Sequence, residues 1–192
     1  MKYLTERLLA ASRSGALIAL VFAAQLGSIL WLRALGARFV VVTGGLEPFD
    51  FQNGLTAEGI FEQLPAYTDA SRVLYHLFAA VDFLFPALAS LFSALLLAWS
   101  LRSLAKPWSE RLLRLHTPAL LLLTALWDWL ENIFLLVVIN AYPQELLWAA
   151  EAAILFKRLK LGFLFTFQPV VIVLATVAGI VSLRRRCRCV AT

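Results

Sequence analysis

Three carboxylates, Asp82, Asp128 and Glu131, stand inside stretches that otherwise hold almost no charge. A charged side chain at the centre of a bilayer costs about 2.5 kcal/mol or more, so a carboxyl kept there points to a ligand site or to hydrogen bonding between helices. Asp128, Glu131, Asn132 and Leu135 follow i, i+3, i+4, i+7 spacing, which gathers them on one face of a helix. Tyr75, Ala79, Asp82 and Pro86 share a face in the preceding apolar stretch, while His76 points roughly 120° away from Asp82. Gln25 and Gln168 are polar residues of the other two apolar stretches.

If these stretches cross a bilayer, a rise of 1.5 Å per residue sets their depth below the outer surface. Asp82 and Gln168 come out about 14 Å down, Glu131 about 15 Å and Gln25 about 12 Å, so four helices contribute to one polar layer. The expected site is a cleft in the outer half, lined by Asp82, Glu131, Asn132 and Tyr75, with Asp128, Gln168 and Gln25 as further candidate ligand-binding residues. It would take a lipid-like or cationic ligand. The competing reading of the same residues is interhelical hydrogen bonding, worth about 0.6 kcal/mol per bond. Three carboxylates exceed what that purpose needs, because Gln25, Asn132 and Gln168 serve it at lower cost.

The elements that must hold this layer are membrane spans. The 192 residues are 61% hydrophobic and 15% charged, with mean hydropathy +0.82, well above an ordinary soluble domain. The expected fold is all-α, a four-helix transmembrane bundle forming a single membrane domain over 1–192, with spans at about 15–32, 73–100, 118–141 and 159–183. The first span resembles a secretory signal, yet its apolar run is longer than an h-region and Arg33 separates it from the small residues that follow, so it is read as retained. Residues 33–72 form a sizeable outer loop, with a β-prone Phe39–Val42, a turn at Asn53-Gly54, a short helix over Ala57–Leu64 capped by Thr56, and Thr68 or Asp69 capping the next span. Thr117 is expected to cap the third span ahead of Pro118, and Tyr142-Pro143 to stop it. Glu145–Phe156 reads as an interfacial helix or an extension of the fourth span.

Eleven of the 17 lysines and arginines lie in the N-terminus, the second connection and the C-terminus, which places both termini in the cytoplasm of a multi-pass protein, with a bacterial inner membrane as the expected location. The net charge of +5 is therefore topological and implies membrane lipid rather than nucleic acid as partner; other membrane subunits or a second copy are further partners to consider. Lys157, Arg158 and Lys160 run against this bias and are expected to snorkel to headgroups. The tail Arg184-Arg185-Arg186-Cys187-Arg188-Cys189 locks topology, with acylation or soft-metal binding as alternatives. No metal and no cofactor is expected: His76 and His116 are the only histidines, and no P-loop, dinucleotide fingerprint or G-x-S-x-G elbow occurs.

The segments Asp82-Phe83-Leu84-Phe85-Pro86 and Asp128-Trp129-Leu130-Glu131-Asn132, with Arg72 and Tyr75 upstream, resemble a family of small four-helix bacterial membrane proteins without an established activity. The resemblance covers the second and third spans best and implies fold and location alone. A small bundle holding carboxylates, Asn and Trp is also similar in residue vocabulary to the emopamil-binding sterol isomerases, whose order and spacing differ, so no catalytic role carries over. The residues favour binding or movement of an amphipathic ligand over catalysis. A lipid-modifying enzyme using paired carboxylates and a structural or assembly subunit are the alternatives.

Overall fold

The computed structural model describes residues 1–190, of which the side chains at 186 and 188–190 lie outside the described ones, as therefore does most of the basic and cysteine tail. The chain is all-helical, with no strand among the described residues. In order it forms α1 (Lys2–Ala11), α2 (Gly15–Thr43), α3 (Ala57–Gln63), α4 (Asp69–Leu104), α5 (Pro107–Arg114), α6 (Thr117–Leu120), α7 (Leu123–Ala141) and α8 (Leu147–Val190). Four stretches, Gly15–Thr43, Asp69–Leu104, Thr117–Ala141 and Leu147–Arg185, are long and apolar enough to cross a membrane. Phe22, Leu26, Leu30, Phe165, Ile172 and Val173 are each exposed, which suits contact with lipid rather than water.

Helix boundaries differ from the sequence expectation in an informative way. Arg33 and Arg38 interrupt the apolar run, but α2 continues to Thr43, so Phe39–Val42 is helical rather than extended. Its reason is periodic burial: Leu32, Leu35 and Phe39 are all but inaccessible at i, i+3, i+7, while Val41 and Val42 face outward. Residues 147–156 likewise belong to α8 and extend the fourth span. Thr117 does not cap; its hydroxyl donates to the Leu112 carbonyl, and His116 precedes the helix in a left-handed conformation at φ 56°. Thr56 does cap α3, accepting from the Gly59 amide at 3.0 Å, and the Thr68 hydroxyl accepts from the Ser71 amide at 3.3 Å.

The residues cluster into two compact units. One comprises Met1–Ala23, Leu88–Thr124 and Gly162–Thr192. Its core joins Leu8 and Val21 to Ala94, Leu95, Ala98, Leu101 and Val171. Arg102 donates to the carbonyls of Leu9 and Ser12, satisfying acceptors left open at the end of α1. The other comprises Ala24–Ala87 and Ala125–Leu161. Here the connection from α2 to α4 folds inward: Phe39, Phe49, Ile60, Leu64, Tyr67 and Tyr75 pack with Val138, Ile139, Ala149 and Ala153. Phe49 stacks on Tyr67 with centroids 5.3 Å apart, and Phe39 meets Tyr67 edge-on at 5.2 Å. Gln52 and Gln63 exchange amide hydrogen bonds of 2.8 and 2.9 Å, and Arg72 donates to the Ile139 carbonyl near the end of α7 at 2.7 Å.

Gly36 sets how closely the connection approaches α2. A Cβ there would stand 2.7 Å from Cε2 of Phe51, whose ring packs edge-on against Phe78. Gly36→Ala is therefore expected to destabilise this unit by about 1–3 kcal/mol, and Phe51→Leu to recover part of that loss in the double variant. Thermal unfolding of the four proteins measures the coupling; additive losses contradict the contact.

Candidate functional site

The site is assembled by three helices and one turn of the second unit. On α4, Tyr75 and Asp82 lie two turns apart and are each 1% exposed. On α7, Asp128, Glu131 and Asn132 occupy one buried face. On α8, Ala149, Ala150, Ala153, Lys157 and Lys160 make a buried stripe in which small residues bring the backbone close before two lysines appear. The Phe49–Phe51 turn, opened by Pro48, supplies Asp50.

Lys160 is the hub. Its Nζ lies 2.8 Å from Asp50 Oδ1, 2.6 Å from Asp128 Oδ1 and 2.6 Å from Glu131 Oε2. The two Glu131 oxygens thus each face a lysine, Oε2 meeting Lys160 and Oε1 meeting Lys157. Lys157 Nζ donates to the Phe49 and Asp50 carbonyls at 2.7 and 2.9 Å and stands 3.5 Å from Glu131 Oε1. Asn132 Nδ2 donates to Asp82 Oδ2 at 2.6 Å. Oxygens of Asp50, Asp82 and Asp128 all lie within 4.8 Å of one another. The Tyr75 hydroxyl, within electrostatic reach of Asp50, Glu131 and Asp82, has no hydrogen-bond partner among the described residues.

Of the residues singled out by sequence, the structure brings together Asp82, Asp128, Glu131 and Asn132, with Tyr75 beside them. Gln168 belongs to the first unit, where it accepts from the Ser93 hydroxyl at 3.0 Å. Gln25 lies in the second unit, its side-chain amide oxygen buried and without a hydrogen-bond partner among the described residues. Sequence reasoning missed Asp50, Lys157 and Lys160. Their signals were the alanine spacing that runs into the two lysines and an aspartate set between Phe49 and Phe51.

Chemically, the three aspartates offer the oxygen set of a hard cation, but the Lys160 ammonium already stands among them and fills that role. Lys160 is equally unsuited to nucleophilic attack, because its three donors face three carboxylates. The group thus gathers four carboxyls around two lysines. Asp50 is its outlet: it also lines a cavity of about 540 Å³ bounded by α2 and the connection that follows it. Burial alone would raise the Asp50 carboxyl, but Lys160 and Lys157 outweigh it and hold it below its ordinary 3.8. Burial pushes the Tyr67 phenol up. No family model, curated protein or solved structure matches the chain.

Removing the hub should be costly. Lys160→Met leaves three carboxylates without their cation and is expected to destabilise the protein by about 3–5 kcal/mol in denaturant unfolding; a loss within about 0.5 kcal/mol contradicts the ion-pair geometry. Because the Asp50 value is lowered on folding, its contribution is complete above pH 3.8 and disappears as pH falls through the lower folded value. Wild type should therefore lose more stability than Asp50→Asn on acidification below pH 3.8, and parallel pH curves contradict the pairing.

Proposed function

We propose that the chain is a four-helix transmembrane bundle of a bacterial inner membrane, with cytoplasmic termini and an extracytoplasmic connection between α2 and α4. It binds an amphipathic ligand in the outer half. The cavity at Asp50 carries this reading. Its volume falls within the few hundred to about 1,000 Å³ of small-molecule pockets, enough for a polar head and the start of an apolar chain. Ile29, Ala37 and Val40 of α2 form its apolar side, while Arg33, Asp50 and Asn53 supply polar groups.

The cavity changes which residues meet ligand. Asp82, Asp128, Glu131 and Asn132 are 1–5% exposed, so they lie behind Asp50 rather than in the wall. Asp128 and Glu131 share the Lys160 ammonium with Asp50, and Asn132 donates to Asp82 behind them. Binding is favoured over catalysis because the buried carboxyls are engaged by Lys160 and Asn132 instead of facing open space.

Mass spectrometry of lipids and metabolites retained by protein purified in mild detergent tests this reading. Wild type should keep a stoichiometric amphipathic species, Ala37→Trp should lose it by filling the cavity, and Val170→Trp on the exposed face of α8 should keep it. Equal retention in all three, or no stoichiometric species in any, contradicts the proposal.

A further inference from the structure

Arg33 and Glu47 line the same cavity, yet neither pairs with a protein charge among the described residues. Opposite charges that face one space without joining are arranged for a ligand that carries both signs. Arg33 also stands at a defined level: the uncharged run from Ser14 to Leu32 spans about 28 Å at 1.5 Å per residue, close to the full hydrocarbon thickness. Its guanidinium is thereby level with lipid phosphates, which it can grip with two parallel hydrogen bonds.

The acidic side is built more firmly. Gln52 Nε2 donates to the Glu47 carbonyl at 2.7 Å while its amide pairs with Gln63, fixing the backbone that carries Glu47. Pro48 follows, and the Asp50 backbone is held by Lys157. Asp50, whose carboxylate meets Lys160 at 2.8 Å, also lines the cavity. Carboxylates accept hydrogen bonds and therefore suit a primary ammonium. A quaternary ammonium prefers an aromatic cage, and Phe51 is the single aromatic ring in this wall.

We infer that the cavity recognises an aminoalkyl phosphate head, Arg33 taking the phosphate and Glu47 with Asp50 the primary ammonium, as the phosphoethanolamine head of a membrane lipid presents them. This rests on the amphipathic-ligand reading and names its head. Ile29, Ala37 and Val40 then meet the first carbons of the lipid.

The test is native mass spectrometry of the full chain titrated with dioleoyl phosphatidylethanolamine, phosphatidylglycerol or phosphatidylcholine, with soluble phosphoethanolamine as competitor. Phosphatidylethanolamine should be retained about tenfold or more over the other two, the worth of one charge-assisted hydrogen bond. Arg33→Gln should weaken it by about the same factor, and Glu47→Gln should erase its preference over phosphatidylglycerol. Both residues are exposed and outside the buried ion pairs, so melting temperatures should hold. Displacement by soluble phosphoethanolamine shows that the head alone suffices, and its failure to compete assigns the site to the intact lipid; either fits the head assignment. Equal retention of the three lipids, still lost in Ala37→Trp, overturns the head assignment and leaves the amphipathic reading standing. No stoichiometric lipid sensitive to Ala37→Trp overturns both.

Discussion

A lysine side chain with 11% of its surface exposed must replace its lost hydration by protein groups, and Lys160 does so with three carboxylates from two elements besides its own. The second unit depends on this exchange. Asp128 and Glu131 reach Lys160 only if α7 presents that face to α8, and Asp50 reaches it only if the Phe49–Phe51 turn lies against both helices. Lys157 reinforces the same docking through main-chain carbonyls, which no side-chain substitution can remove.

From that docking follows the shape of the surroundings. With Asp50 and its carbonyl held, Phe49 enters the aromatic cluster of Phe39, Tyr67 and Tyr75, and Phe51 turns to Phe78 against Gly36. The remaining face of the turn bounds the cavity, so Asp50 belongs at once to a buried ion-pair group and to the cavity lining. Buried ion pairs add little net stability compared with apolar packing, which makes such a group more useful as a specifier of geometry and charge than as a source of stability.

Much of the membrane character was legible in the sequence, because an apolar run of about 20 residues has one physical use. The Asp128, Glu131, Asn132 face was legible for a similar reason: helical spacing fixes who shares a face. What composition hides is amphipathic continuation beyond the hydrocarbon. Arg33 and Arg38 looked like the end of a span, although Leu32, Leu35 and Phe39 keep the helix packed to Thr43. Lysines at 157 and 160 looked like interfacial charges, because their partner Asp50 lies more than 100 residues away and sequence spacing carries no signal for such a pair. Gln25 and Gln168 shared a calculated depth with the carboxylates, but depth alone does not specify which face a side chain takes.

The central claim is that the two α8 lysines hold the Phe49–Phe51 turn in place. Hydrogen exchange at the Phe51 and Gln52 amides, which bond to Pro48 and Phe49 carbonyls, reads that directly in wild type, Lys157→Met and Lys160→Met proteins. The account expects both variants to lose protection at these amides while those of α2 around Leu20 keep theirs. Unchanged protection at Phe51 and Gln52 in both variants contradicts it.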